Sequence, residues 1–156
     1  MNKQDLEQIH LVFVYGTLKS GGVRGLDTWN NEFLDSDYRF QEDPQTGMSV
    51  PVQMHLESRG KAVTKNNDFE MFDLGSYPAL VPGEKYIQGE VWEVDGELLE
   101  FHLDAIEGYP NLYNRTKTET SQGLAWVYYM QTKQLGKYVR NSDRIQEVNN
   151  IQSYKL

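Results

Sequence analysis

The sequence contains no cysteine among its 156 residues. This absence excludes thiol nucleophiles, redox chemistry at paired cysteines, cysteine-ligated zinc and any disulfide framework. Histidine is scarce as well, because the chain has three, His10, His55 and His102, and they lack the His-Xaa-Xaa-Xaa-His spacing of a metal-binding helix. We therefore expect no metal site, and any catalysis must come from oxygen and nitrogen groups.

The sequence also lacks a long hydrophobic run. No window approaches the roughly 20 apolar residues that a membrane helix needs, and the run 11–14 is too short and too close to acidic residues for a signal-peptide core. Lysine and arginine total 15 against 23 aspartates and glutamates, and the resulting net charge of −8 repels nucleic acid and anionic membranes. We expect a cytoplasmic protein that binds neither of them, and the sequence indicates no oligomeric state.

Strand patterns dominate the apolar segments. The run 11–15 is short, β-branched and aromatic, and it stops at Gly16, which predicts a buried strand that leads into a turn. Residues 125–130 have an equally strong strand pattern. The length suits a single domain over 1–156, since a chain of this size buries roughly 68–70% of the surface that it exposes when unfolded.

The strongest helix pattern covers 97–107. Asp95 can cap its start, its apolar residues form a broad face, and Gly108 and Pro110 end it. A weaker pattern of apolar residues at three- and four-residue spacing begins at Leu26. The sequence thus predicts an α/β chain of the α+β type, in which one or two helices pack on a sheet.

Two polar segments interrupt or follow this core. Residues 35–59 contain a turn signal between two weak extended segments, which indicates an insertion or a long hairpin. A protein-interaction role for this segment is the alternative to a plain solvated insertion. From about residue 131 the chain is polar again, and its scattered apolar residues allow a short helix or a docked tail.

The glycine-rich loop after the first strand has part of a phosphate-binding motif. Gly16 and Gly21 have the required spacing, but Gly22 and Val23 stand where the motif needs Lys and then Ser or Thr, so nucleotide binding is not expected. The Gly-Xaa-Ser-Xaa-Gly motif of serine hydrolases is absent. The stretch 15–18 can instead present successive backbone N–H groups to an anion or an oxyanion. A tight turn without a ligand is the alternative.

Glu107 stands where a helix disfavours a carboxylate. It lies in the last turn, at the negative end of the helix dipole, and Asp104 is a like-charge neighbour three residues earlier. Both effects raise the pKa of Glu107, and burial would raise it further toward the range of a general acid or base. The alternative is an ordinary solvated glutamate at a fraying helix end. Four tyrosines suit the wall of a small-molecule pocket: Tyr77, Tyr109, Tyr113 and Tyr128.

Four segments combine these features in one order along the chain: VFVYGTLK at 12–19, YPALVPG at 77–83, GEVWEV at 89–94 and LDAIEGYPNLYNR at 103–115. Together they resemble the γ-glutamylcyclotransferase-like family, and most closely its branch with γ-glutamylamine cyclotransferase and the plant AIG2-like proteins. The resemblance extends from about residue 11 to about residue 130. The segment 35–59 is longer than in small members of the family, and the tail after Met130 matches poorly.

The resemblance implies a fold built around a small, mostly antiparallel β-barrel with one or two packed helices. It implies a substrate cavity that is lined by six residues: Tyr15, Gly16, Thr17, Leu18, Tyr113 and Tyr128. Glu107 matches the position of the family's catalytic acid/base. The partner implied is a small γ-glutamyl molecule, and no cofactor or metal is required.

The chemistry implied by the resemblance is an intramolecular acyl transfer. In a γ-glutamyl amine or γ-glutamyl amino acid, the α-amine attacks the γ-carbonyl, which closes a five-membered ring and releases 5-oxoproline and the free amine. Glu107 would carry a proton from the attacking to the leaving nitrogen, and the N–H groups of residues 16–18 would stabilise the oxyanion. The alternative is a non-catalytic small-molecule-binding or interaction module on the same fold.

Overall fold

The structure is a computed structural model, and it describes residues 1–32, 38–42, 45–53, 55–136, 139 and 143–156. Its strands, in chain order, are β1 (Ile9–Val14), β2 (Tyr38–Glu42), β3 (Ser49–Gln53), β4 (Leu56–Val63), β5 (Phe69–Asp73), β6 (Pro78–Pro82), β7 (Tyr86–Asp95), β8 (Asn114–Thr120), β9 (Gly123–Tyr129), β10 (Ile145–Val148) and β11 (Ile151–Tyr154). Its helical segments are α1 (Lys3–Glu7), α2 (Leu26–Glu32), a π-helical segment (Leu98–Leu103), α3 (Asp104–Glu107) and α4 (Thr132–Leu135).

Within the described residues, seven strands form the main sheet. Its order is β10-β11-β7-β1-β9-β8, and β4 pairs with β7 off this path. The pairs β1–β7, β4–β7, β8–β9 and β10–β11 are antiparallel, whereas β1–β9 and β11–β7 are parallel. The sheet curls into a half-barrel, which confirms the predicted α+β class with a small, mostly antiparallel sheet.

The first strand lies inside the sheet, between β7 and β9. Val12, Phe13 and Val14 are at most 3% exposed. A strand covered on both faces has no solvent side, and this explains why its sequence is a continuous apolar run and does not alternate. The strand also carries the chain directly to the loop 15–18, so the loop leaves the sheet from a rigid support.

The predicted helix 97–107 is present, with a different first half. Asp95 caps it as predicted, because its Oδ1 accepts the Leu98 N–H at 2.9 Å. The segment then begins as a π-helix, in which the Asp104 N–H donates to the Leu99 carbonyl, before it becomes α3. Gly108 ends the helix in the left-handed conformation, with φ of 65°. A sequence pattern cannot separate these helix types, because both place the same apolar residues on one face over a single turn.

The two polar segments have partly regular structure. Within 35–59, β2 and β3 pair as an antiparallel hairpin, while residues 33–37, 43–44 and 54 lie outside the described residues, and with them the end of the helix predicted from Leu26. In the tail, α4 is followed by the hairpin β10–β11, and Tyr154 is 2% exposed. The tail therefore docks by strand pairing with β7. Within the described part of the chain, no helix has the length and apolar character to cross a membrane.

Asp95 joins the helix to the sheet, which makes it a sensitive position for stability. Its Oδ2 also accepts the His55 N–H at 2.9 Å, and the residue is 1% exposed. We expect Asp95→Ala to lower the free energy of unfolding by about 2–4 kcal/mol, because the buried Leu98 N–H and the partly buried His55 N–H lose their acceptor. Urea denaturation measures the loss. The exposed Asp68→Ala is the control, and equal losses in the two variants would contradict this assignment.

Candidate active site

A cavity of about 520 Å³ opens where β1 leaves the sheet. Its wall comes from the end of β1 and the following loop, from the segment before β6, from α3 and the turn after it, and from β9. The residues singled out from the sequence are brought together here, and all seven line the cavity: Tyr15, Gly16, Thr17, Leu18, Glu107, Tyr113 and Tyr128. Tyr77 lines it as well, whereas Tyr109 lies against a separate depression.

The loop 15–18 follows a course that requires glycine. A Cβ on Gly16 would lie 2.7 Å from the ring carbons Cγ and Cδ of Pro78, so only glycine allows β6 to approach this closely. The loop is then held by backbone bonds from the Lys19 N–H to the Gly16 carbonyl and from the Leu26 N–H to the Leu18 carbonyl, each at 3.0 Å. These contacts give the loop one conformation at the edge of the cavity.

The same loop has unused hydrogen-bond donors. Within the described part of the chain, the backbone N–H groups of Gly16, Thr17 and Leu18 have no acceptor, although Gly16 and Leu18 are buried. Buried N–H groups are rarely left unpaired in folded proteins. Three successive unpaired N–H groups beside a cavity can bind an anion or a developing oxyanion.

The three predicted tyrosines use their hydroxyl protons inside the protein. Tyr15 donates to the carbonyl of Tyr128 at 2.7 Å, Tyr113 donates to the carbonyl of Pro78 at 3.1 Å, and Tyr128 donates to Oδ1 of Asp104 at 2.6 Å. Burial raises the pKa of all three phenols well above the ordinary range, so they stay neutral. The oxygens of Tyr113 and Tyr128 can therefore accept hydrogen bonds from a ligand, whereas the Tyr15 oxygen already accepts one from the Leu80 backbone N–H. None of the three phenols is a base.

Asp104 has a structural role that the sequence did not reveal. Besides the bond from Tyr128, its Oδ1 accepts a bond from the Arg115 Nε at 2.9 Å, and both side chains of this ion pair are less than 10% exposed. The Arg115 guanidinium also lies 4.4 Å from the ring centroid of Trp126 and 4.7 Å from that of Tyr109. This network fixes the start of α3, the short helix that carries the catalytic candidate.

Glu107, at the end of α3, is partly buried at the cavity. Removal of its carboxyl group from water raises its pKa from 4.5 to about 7, while the charge of Arg24 lowers it and that of Asp104 raises it. The direction agrees with the sequence prediction. Desolvation, which the sequence argument added to the helix dipole and Asp104 as a further effect, is the largest cause. A group that titrates near neutral pH can both accept and donate a proton.

Sequence reasoning missed Arg24, which lines the cavity and acts on Glu107 through its charge. Its position in the glycine-rich loop was visible in the sequence. Its proximity to a carboxylate 83 positions away was not, because only the folded loop brings the two together.

A group of possible metal ligands lies elsewhere, on β7, on β4 and at the residue before β4. His55 Nε2 is 3.3 Å from Glu93 Oε1 and 3.9 Å from Glu57 Oε2. Arg59 Nε already donates to the other oxygen of Glu93 at 2.9 Å, so the Arg59 guanidinium balances the charge of this carboxylate. We assign this group no part in the chemistry of the cavity.

Comparison with known proteins gives consistent results. The family described as "Gamma-glutamyl cyclotransferase, AIG2-like" matches residues 12–148. A Vibrio cholerae protein named "Putative gamma-glutamylcyclotransferase" is 34% identical over 140 residues, which cover 89% of this chain and 98% of the relative. "Gamma-glutamylcyclotransferase family protein YtfP" of Escherichia coli K12 is 35% identical over 65 residues, 42% of this chain and 57% of the relative. The crystal structure of an AIG2-like protein from Mus musculus, 21% identical, has the same fold, with a TM-score of 0.58 over 96% of this chain and 97% of the other.

The raised pKa of Glu107 predicts a pH-dependent effect on stability. Its pKa is higher in the folded state, about 7 against 4.5, so the folded protein binds the extra proton and stability falls as pH rises through this interval. We expect Glu107→Gln, which is neutral at every pH, to raise the free energy of unfolding by up to about 3 kcal/mol at pH 8 and to change it little at pH 4.

Urea denaturation of both proteins at the two pH values measures this difference. Glu119→Gln, an exposed replacement on β8, is the control and should show no such pH dependence. An unchanged stability of Glu107→Gln at pH 8 would contradict the desolvation of this carboxyl group.

Proposed function

This chain belongs to the γ-glutamyl cyclotransferase, AIG2-like family, and on that premise we propose that it cyclises a γ-glutamyl amine or γ-glutamyl amino acid to 5-oxoproline with release of the free amine. One observation carries the proposal: the carboxyl group of Glu107, which titrates near pH 7, shares a cavity with the unpaired N–H groups of the loop 15–18. A base and an oxyanion site are what this ring closure needs.

The hydrogen-bonding groups of the cavity divide into donors and acceptors. In the proposed complex, the N–H groups of Gly16, Thr17 and Leu18 stabilise the negative charge that develops on the γ-carbonyl oxygen when the α-nitrogen attacks. Tyr113 and Tyr128 have already donated their protons to the protein, so their oxygens can accept bonds from the α-ammonium group. Positioning the folded substrate supplies a large part of the rate enhancement, because the reaction is intramolecular.

Glu107 moves a proton between the two nitrogens. As a carboxylate it takes a proton from the α-nitrogen while the new C–N bond forms, and as a carboxylic acid it returns that proton to the leaving nitrogen while the old C–N bond breaks. Over the whole reaction the α-ammonium loses two protons and the leaving amine gains two, and the second proton exchanges through water. No electron is transferred, and no bond to the protein forms.

Replacement of Glu107 tests this role directly. Glu107→Gln keeps the shape of the side chain and removes the base, so we expect 5-oxoproline release from γ-glutamyl compounds to fall by roughly 10²–10⁴-fold. Mass spectrometry of 5-oxoproline across a panel of γ-glutamyl amines and amino acids measures the rate. Glu119→Gln, outside the cavity, should retain full activity.

Two outcomes would count against the proposal. Unchanged turnover in Glu107→Gln would remove this residue from the mechanism. Stoichiometric binding of γ-glutamyl compounds by calorimetry, with no 5-oxoproline formed by the wild-type protein, would instead indicate a binding module on the same fold.

The rate of 5-oxoproline formation should increase with pH. The carboxylate is the active form at the start of the reaction, so we expect kcat/KM to rise with pH and to level off above a midpoint near pH 7, the pKa of Glu107. The charged groups that act on this pKa are Arg24 and Asp104, in opposite directions. A pH profile of 5-oxoproline formation checks this, and a midpoint near 4.5, the ordinary value for glutamate, would refute it.

A further inference from the structure

Arg24 has a defined place in the loop that follows β1. Its backbone N–H donates to the carbonyl of Thr17 at 3.0 Å, and its own carbonyl accepts a bond from the indole Nε1 of Trp29 at 3.1 Å. Because Thr17 lies in the loop 15–18, one hydrogen bond joins Arg24 directly to the proposed oxyanion site. The Arg24 side chain lines the same cavity as Glu107.

The guanidinium of Arg24 is available to a ligand. The residue is exposed, and within the described residues its guanidinium has neither a hydrogen bond nor a salt bridge, while its charge reaches Glu107. Of the described residues that line the cavity, Arg24 is the one with a positive charge. A planar guanidinium without a partner is suited to a carboxylate, which it can bind through two parallel hydrogen bonds.

Apart from Arg24 and the neutral Ser76, the exposed side chains at the cavity mouth are apolar. Its exposed hydrophobic side chains are Val23, Tyr77, Ile106 and Leu112. Such a rim can pack against a small side chain, but these residues offer no negative charge to a cationic group. A leaving amine with a second positive charge would therefore meet Arg24 as a like charge and would find no compensating carboxylate on this rim.

We propose that Arg24 binds the carboxylate of the leaving group, so that the protein acts on γ-glutamyl amino acids in preference to γ-glutamyl amines that are neutral or cationic. This inference rests on the proposed function and specifies its substrate class. The reacting atoms must lie beside Glu107 and the loop 15–18, so the part of the substrate that varies extends toward the exposed mouth. At the mouth, the variable part contacts both Arg24 and the apolar rim. Arg24 suits the carboxylate of an amino acid, and the rim suits its side chain.

A pair of matched substrates isolates this contact. γ-Glutamyl-L-alanine and γ-glutamyl-isopropylamide differ by one replacement, a carboxylate in the first and a methyl group in the second, and both keep the α-carboxylate of the glutamyl half. γ-Glutamyl-putrescine adds a cationic leaving group. Initial rates of 5-oxoproline formation at about pH 8.5, well above the titration of Glu107, separate substrate binding from the effect of Arg24 on the base.

For the wild-type protein we expect kcat/KM to be roughly ten-fold higher for γ-glutamyl-L-alanine than for the isopropylamide, since hydrogen bonds to charged groups are among the stronger ones. Arg24→Gln should abolish most of this difference through a higher KM for the alanine compound and should raise kcat/KM for the putrescine compound. Arg24→Lys keeps the positive charge without the planar guanidinium. Its preference for the alanine compound should therefore lie between those of the wild-type protein and Arg24→Gln. Arg59→Gln, which removes an exposed arginine outside the cavity, is the matched control.

Arg24→Gln should also move the midpoint of the pH profile upward, because the charge of Arg24 lowers the pKa of Glu107. A merely structural defect would lower the rate without this shift. Equal loss of kcat/KM for all three substrates would overturn the proposal and place Arg24 at the α-carboxylate. No change for any substrate would overturn it as well.

Failure of the proposed function gives a different result. If the wild-type protein turns over none of these compounds, calorimetry with γ-glutamyl-L-alanine and the isopropylamide still tests Arg24. Tighter binding of the alanine compound that is lost in Arg24→Gln supports the carboxylate site. Equal affinity for the two compounds contradicts it.

Discussion

The desolvation of the Glu107 carboxyl group is the constraint on which the rest of the site depends. A carboxylate loses hydration energy when it is buried, and Glu107 at the end of α3 is desolvated in this way. The neighbouring phenols do not offset this loss, because each donates its proton to another group of the protein and stays neutral. The result is an apolar wall with acceptor oxygens, in which one acidic group titrates near neutral pH.

The position of that group is set by a buried network behind the cavity. Asp104 holds Arg115 and Tyr128 at once, so the first residue of α3 is tied to β8 and β9, two strands at one side of the sheet. Buried ion pairs contribute little net stability when they are complete, but the loss of one partner leaves an uncompensated charge. We infer that this network fixes the orientation of α3, and therefore of Glu107, relative to the loop 15–18.

Arg24 links the electrostatics of the site to ligand recognition. The charge of Arg24 lowers the pKa of Glu107, whereas desolvation raises it. The exposed guanidinium lies where the variable part of a proposed substrate would bind. A carboxylate bound there would neutralise the guanidinium and reduce its effect on the base. In the proposed reaction, the occupancy of the cavity mouth and the basicity of Glu107 are therefore coupled.

Local features of the sequence were enough to predict much of the fold. The apolar run that became β1, the strand pattern of β9 and the cap at Asp95 are visible because each depends on neighbouring residues and on simple periodicity. The π-helical start of 97–107 was not predictable, since its residues share the face that an α-helix would give them. The docking of the tail was left open, because strand pairing with β7 depends on register across about 65 residues of chain.

For the site, the sequence by itself determined the chemical groups: no thiol, few histidines, a glycine-rich turn after a buried strand, and a glutamate at the end of a helix. Only the tertiary structure decided what those groups do. The hydroxyl of Tyr15 is bonded to a carbonyl 113 positions away, and Arg24 acts on a carboxylate from another part of the chain. Hydration and charge–charge interactions depend on distance in space, so the pKa of Glu107 and the free donors of residues 16–18 become defined only when the chain has folded around the cavity.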